Sequence, residues 1–238
     1  MKYKVKFQLD KPEFRSDYRR TIISFFKRAI SDYMGGMFYA DIYEKGAHKK
    51  SFVWSIRFQY PKFQKEKMLL GSNEIEMTLK FADAETALIY YSSLLEMKNK
   101  QFPIGNENFM VLETIQMVRE CVINGGYAIF KVLSPICLKQ HMKDNQKDWY
   151  INVEDSEFST EIQRKLMEDM PELTKEIKKM VFNFDGLKKV IIPAYGIKFP
   201  ATVGIFIAEG NDKILNHMLQ HGVGSKRNSG FGLIEQIQ

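Results

Sequence analysis

The sequence predicts an α+β chain made of two consecutive β-α-β-β-α-β units. Three observations carry that expectation. Apolar and polar residues alternate in several short runs, as in half-buried strands, while other runs carry apolar residues every three or four positions, as in amphipathic helices. The two kinds of run follow one another in a similar order twice. Gly125 and Gly126 stand between the two passes.

The first pass opens with "YKVKFQL", in which Tyr3, Val5, Phe7 and Leu9 share one side of a strand. From Asp10 to Tyr33 the period becomes helical. Phe14, Tyr18, Ile22, Phe25 or Phe26, Ile30 and Tyr33 form a stripe, Arg15, Arg19, Arg20, Lys27 and Arg28 lie mainly around it, and Gly35-Gly36 ends it. "MFYADIY" (37–43) and "SFVWSIRF" (51–58) read as the strands of a hairpin joined by the basic loop "EKGAHKK". "NEIEMTLKFA" (73–82) is a strand, "DAETALIYYSSLLEMKN" (83–99) a helix with Asp83 or Thr86 at its start, and "NFMVLETIQMV" (108–118) a strand.

In the second pass "YAIFKVLSPICL" (127–138) and "DWYINVE" (148–154) are expected strands. "STEIQRKLMEDMPELTKEIKKM" (159–180) is helical with a kink expected at Pro171. "KKVIIPAYGIKFPATVGIFIAE" (188–209) gives two extended runs, "DKILNHML" (212–219) a helix, and "GLIEQI" (232–237) the last strand. The order predicts two tandem ferredoxin-like domains, at 1–123 and 124–238. No sequence repeat links them, so the duplication rests on the order of elements alone.

Composition narrows the partners. With 45% apolar residues and 13% aromatics, the 238-residue chain has the make-up of a folded globular protein. Its net charge of +6 is regional: residues 1–67 hold 16 Lys and Arg against 7 Asp and Glu. That asymmetry points to an anion-binding face. Cys121 and Cys137 lack metal-site or redox spacing and read as reduced thiols. The opening "MKYKVKFQLD" reads as a strand and not as a targeting segment. No run approaches the roughly 18 apolar residues of a membrane span. A soluble, cytoplasmic protein with no membrane partner is expected, as monomer or homodimer.

Residues 221–238, "HGVGSKRNSGFGLIEQIQ", are the most unusual stretch. Dinucleotide- and triphosphate-binding glycine loops lead from a strand into a helix N-terminus. Here the helix precedes the loop, so its dipole presents negative charge there. A nucleotide cofactor is therefore not expected, and no other cofactor is implied. Gly222, Gly224, Gly230 and Gly232 allow close backbone approach, while Lys226, Arg227 and Asn228 supply donors. The stretch suits a tight connection between packed elements, a clamp on a nucleic-acid backbone, or both.

"GVGSKRNSGFGLIE" closely resembles the C-terminal glycine-rich motif of the CRISPR-associated repeat-processing endoribonucleases of the RAMP superfamily. "FKVLSPICL" (130–138) is similar to that family's L-S-P-I strand start, and "KKSFVWSIRF" to its K-x-F-x-x-S strand. The resemblance implies two ferredoxin-like halves and metal-independent cleavage of CRISPR repeat RNA. In that reaction the 2′-hydroxyl attacks the neighbouring phosphate, giving 2′,3′-cyclic phosphate and 5′-hydroxyl ends.

Such chemistry needs a base, an acid and a cation, and histidine serves either of the first two near neutrality. His48 is the candidate, set among Lys45, Lys49 and Lys50 in the basic loop; a solvent-exposed histidine in a basic turn is the plain alternative. The family's histidine often sits slightly earlier, where this chain has "DIYEK", which makes Tyr43 a second catalytic candidate. Lys50 and Lys49 are candidates for phosphate stabilisation. Tyr39 and Tyr43 suit base stacking or core packing, and Lys27, Arg20 and Arg19 suit the RNA backbone or simple solvation. Gly222, Gly224, Lys226, Arg227, Asn228 and Gly230 complete the expected RNA-binding set. His217 and His221 lie on one helix face but lack further ligands, so no metal site is expected. His141 lies in a polar stretch with no partner legible in the sequence.

The alternative to catalysis is a non-catalytic RNA-holding subunit of a CRISPR interference complex, whose other subunits would then be partners. A ferredoxin-like enzyme acting on a small molecule is a third reading, and no motif supports it.

Overall fold

The computed structural model describes residues 1–44, 52–141 and 148–237. The chain divides into two units: Met1–Arg119 with Pro193–Ile197, and Glu120–Ile192 with Lys198–Gln238. Their elements follow one plan, that of a ferredoxin-like fold repeated.

In the first unit the opening alternation becomes β1 (Lys2–Leu9), followed by β2 (Glu13–Arg15) and α1 (Tyr18–Asp32). Then come β3 (Phe52–Arg57), β4 (Lys62–Phe63), β5 (Lys67–Leu69), β6 (Glu74–Phe81), α2 (Ala84–Glu96), β7 (Gln101–Gly105) and β8 (Asn108–Val118). The main sheet runs β3-β6-β1-β8-β7, with every neighbouring pair antiparallel. The four strands β1, β3, β6 and β8 thus give the 2-3-1-4 order of a ferredoxin-like sheet. A small sheet, β2-β5-β4, was not legible in the sequence because its strands are two or three residues long.

Tyr3, Val5, Phe7 and Leu9 are all buried, as the alternation requires, and Ile22, Phe25, Phe26 and Ile30 of α1 close over the sheet. Phe26 meets the rings of Phe52, Trp54 and Tyr90 nearly edge-on, with centroids 5.8–6.0 Å apart. Full burial of one such side chain contributes about 1.5–3 kcal/mol. Asp83 caps α2, its side chain accepting from the Thr86 amide at 2.7 Å.

Two expectations fail in this unit. The helix foreseen from Asp10 begins at Tyr18, and Phe14 is buried from the short strand β2. Residues 37–43 form no strand. Met34 and Gly35 take left-handed dihedrals, ending the first helix, and a wide helical turn follows at Ala40–Glu44. Phe38, Tyr39, Ile42 and Tyr43 all pack on the core. Their 1-2-5-6 spacing is helical, and the aromatic richness of the run masked it.

The second unit contains β9 (Tyr127–Val132), β10 (Leu138–His141), β11 (Asp148–Ile151), α3 (Phe158–Asp169), α4 (Thr174–Ile177), β12 (Val181–Asn183), β13 (Leu187–Ala194), β14 (Ile197–Glu209), α5 (Asp212–His221) and β15 (Ile234–Gln236). Its sheet runs β12-β14-β9-β15, with β13 beside β14; β10 and β11 form a separate ribbon. The order is again 2-3-1-4. Phe130, Phe206, Ile162, Leu166, Leu215 and Met218 are buried in its core. The single strand expected over 127–138 is broken at Ser134-Pro135, where proline cannot donate to a ladder. The helix expected over 159–180 stops at Asp169 and resumes, after a turn at Pro171–Leu173, as α4. No helix among the described residues is long and apolar enough to cross a membrane.

Candidate nucleic-acid interface

Lys45, His48, Lys49 and Lys50 lie outside the described residues. What precedes them is well defined. The Tyr39 and Tyr43 rings, one helical turn apart, have centroids 5.2 Å apart. The Tyr43 hydroxyl shares a 2.8 Å hydrogen bond with that of Tyr90, in which either group can donate. Burial, the larger influence, pushes the Tyr43 phenol up to about 12, although the bond from Tyr90 opposes the shift. A phenol held protonated in this way is a poor base near neutral pH. Both tyrosines are partly buried and pack against the core.

The three cations expected on α1 have different fates. Lys27 is exposed, with its ammonium 5.5 Å from the Tyr43 ring centroid. Arg20 is also exposed and pairs with Asp17 at 3.1 Å. Arg19 is only 3% exposed, and its guanidinium lies 4.6 Å from the centroid of the Tyr18 ring. Unlike Lys27 and Arg20, Arg19 is thus turned into packed protein and leaves little surface for an RNA backbone.

In the second unit the glycine-rich stretch leaves α5 at Gly222, whose amide donates to the Met218 carbonyl at 2.9 Å. The following residues are stitched to the Leu133–Ile136 segment. Gly232 N–H donates to Pro135 O at 2.9 Å, Leu233 N–H to Ser134 Oγ at 2.9 Å, and Leu133 N–H to Leu233 O at 2.8 Å. Ser225 N–H donates to Cys137 O at 2.7 Å. The two stretches that the sequence singled out separately are thus one construction.

Glycine is required where this construction is tightest. At Gly224, with φ +88°, a Cβ would stand 2.6 Å from Cys137 O. At Gly232, with φ +73°, it would stand 1.9 Å from Val223 O. Between them Lys226 is left-handed at φ 57°, Arg227–Ser229 makes one tight turn, and Gly230 is left-handed again.

Lys226 and Arg227 are partly engaged within this unit. The Lys226 ammonium lies 5.7 Å from the Tyr150 centroid and 5.5 Å from that of Phe199, two rings stacked 4.3 Å apart. Arg227 grips Asp169, at the end of α3, through two hydrogen bonds of 2.6 and 3.2 Å. The guanidinium expected to hold RNA instead anchors the loop. Asn228 is half-buried in the turn, its Oδ1 accepting from the Ser229 hydroxyl at 3.4 Å. Asp169 was missed because nothing in its local sequence marks it.

His217 Nε2 lies 3.5 Å from Asp169 Oδ2, and its ring stacks on His221 at 3.9 Å. Burial first, and the neighbouring His217 second, bring the His221 imidazole down to about 4, so it is neutral near pH 7. Among the described residues no group of three or more His, Cys, Asp and Glu could hold a metal ion.

Two ferredoxin-like units, the second ending in a helix, a glycine-rich loop and a strand, define a RAMP-type protein. Residues 118–236 match the family model described as the C-terminal part of CRISPR-associated protein Cas6. The chain belongs to the Cas6 family, a family of CRISPR-associated endoribonucleases. It is 23% identical over 221 residues to a CRISPR-associated endoribonuclease-like protein Cas6 of Pyrococcus furiosus, covering 84% of this chain and 89% of the relative. A solved structure of a Cas6-related gene from Pyrococcus furiosus superposes with a TM-score of 0.83 at 16% identity, covering 100% of this chain and 98% of that one. A second, described as a RAMP protein binding different RNA substrates, gives a TM-score of 0.83 at 15% identity over 100% of both chains.

Proposed function

We propose that this chain cuts CRISPR repeat RNA without a metal ion and so matures guide RNA. The observation that carries the reading is the Cas6 family match over residues 118–236. In the proposed step a base takes the proton of the 2′-hydroxyl and the freed oxygen bonds to the adjacent phosphorus. The bond to the 5′-oxygen breaks, and that oxygen takes a proton. The products are a 2′,3′-cyclic phosphate and a 5′-hydroxyl.

His48 is assigned the proton transfers, and Lys50, with Lys49, the stabilisation of the phosphorane. Tyr43 supports this division indirectly: its hydroxyl is hydrogen-bonded to Tyr90 and its phenol is raised, which leaves the base role to histidine. Lys45, Lys27 and Arg20 are assigned to the RNA backbone. So are Lys226, Asn228 and the backbone around Gly222, Gly224 and Gly230. The catalytic loop then belongs to a domain at 1–123, the glycine-rich loop to one at 124–238, and the protein works in the cytoplasm as a monomer or homodimer.

A second reading is favoured by one observation. Tyr43, near the place where the resemblance puts the family's histidine, is partly buried, neutral and hydrogen-bonded to Tyr90, which suits a subunit that holds RNA for an interference complex without turnover. Radiolabelled repeat RNA incubated with wild-type, His48→Ala and Tyr43→Phe proteins in EDTA separates the two. The first reading expects one discrete cut, slowed roughly 10²–10⁴-fold by His48→Ala and largely kept by Tyr43→Phe. Tight retention with no cut by the wild type establishes the second.

A further inference from the structure

The second unit holds a cavity of about 540 Å³ lined, among the described residues, by Lys139, Gln140, Arg164, Lys165 and Ser225. Two of these come from β10, two from α3 and one from the glycine-rich loop. Ser225 Oγ accepts from the Lys139 amide at 3.3 Å, which ties the loop to the cavity wall. Three cationic residues, an amide and a hydroxyl line this space, and each cation has a carboxylate partner beside it. Only the loop carrying Ser225 belongs to the RNA-binding set already assigned.

The cations differ in how firmly they are held. Arg164 grips Glu161 through two hydrogen bonds of 2.6 and 2.7 Å, and the Glu161 side chain is almost wholly buried, so this guanidinium is fixed. Arg164 also pairs with Glu168. Gln140 donates to Glu161 at 2.9 Å. Lys139 pairs with Asp148 at 2.8 Å and Lys165 with Glu168 at 3.2 Å, both partly in solvent. Exposed pairs of this kind hold weakly and exchange partners readily. The Arg164 fork is thus taken up by carboxylates and holds the wall, and the two ammonium groups, whose pairs exchange, are the cations a phosphodiester can recruit.

Beside the cavity stands an aromatic side chain with no role so far. Trp149 of β11 lies directly opposite Gln140 in the antiparallel register, so the two project from the same face of the ribbon. Trp149 is 56% exposed. An exposed indole paired in register with a residue that lines the cavity is a platform on which an unpaired base can stack. An acidic protein segment would also satisfy the cations, but it would leave the indole unexplained.

We propose that this cavity and Trp149 form a nucleotide subsite for single-stranded RNA, the cavity taking a backbone phosphate and the indole stacking its neighbouring base. The proposal rests on the reading of the chain as an RNA-binding protein and adds a contact to it. The chain contains two tryptophans, and Trp54 is fully buried, so emission that changes on ligand addition reports on Trp149.

The test titrates the intact protein with a short oligoriboadenylate at low ionic strength, following tryptophan emission and filter retention together. Quenching that tracks retention is expected. Trp149→Ala should weaken retention roughly tenfold, whereas Trp149→Phe should keep most of the affinity while losing the quench. Lys139→Ala combined with Lys165→Ala should weaken binding and flatten its salt dependence. Retention with unchanged emission, and unaffected by Trp149→Ala, overturns the subsite and leaves the RNA-binding reading standing. No retention by the wild type at low ionic strength overturns both.

Discussion

Asp169 receives Arg227 and lies near His217, and His221 stacks on that histidine, so four ionisable side chains share one half-buried corner beneath the glycine-rich loop. The His221 imidazole ordinarily titrates near 6.5 and here near 4, chiefly through burial. Between those values the unfolded chain takes up a proton that the folded chain refuses, so stability falls as pH drops through the window and is fully kept above it. Thermal midpoints of wild type and His221→Gln across pH 6.5 to 4 should show the steeper acid decline in the wild type; parallel declines would contradict this. Little of the corner was legible beforehand. Arg227 was visible as a donor, but Asp169 lies 58 residues away in sequence, and no local pattern announces a pairing at that distance. Arg19 misled for the related reason that a charge beside an apolar stripe is assumed to face water.

At the scale of elements, periodicity was a good guide wherever a run was long and regular. β1, β6, α2, β8 and α5 lie where alternation or helical spacing put them. The failures cluster in short or aromatic runs. Residues 37–43 read as a strand because aromatic residues favour strands in general, and Gly35-Gly36, legible as the end of the first helix, gives no sign of the helical turn that follows at Ala40–Glu44. The L-S-P-I and glycine-rich stretches were each legible as motifs, but not as partners, since backbone hydrogen bonds carry no side-chain signature. Their union makes a prediction. Gly232→Ala places a Cβ against Val223 O in a left-handed position, which should cost at least about 1–3 kcal/mol. The urea midpoint should fall accordingly, and an unchanged midpoint would show that this junction yields.

Across the whole molecule, the twice-repeated order of elements made the fold class readable, because a ferredoxin-like unit is built from local runs in a fixed sequence. The candidate site was less readable. Sequence reasoning named glycines and cations, yet could not tell which cations the protein spends on itself, as it does Arg227 on Asp169 and Arg20 on Asp17. Electrostatics follows the same division: sixteen basic residues in the first 67 attract a polyanion without choosing among polyanions. In the proposed function, what chooses is chemistry on the ribose. The central claim is that the chain carries a site able to make a 2′-hydroxyl attack its own phosphodiester. The direct measurement compares two repeat RNAs in EDTA, identical except that one has a single 2′-deoxy sugar just before the cut. A single break ending in a cyclic phosphate on the all-ribose strand, and an intact deoxy strand, is the predicted result. Equal cleavage of both strands, or cleavage that appears only when a divalent metal is restored, would contradict it.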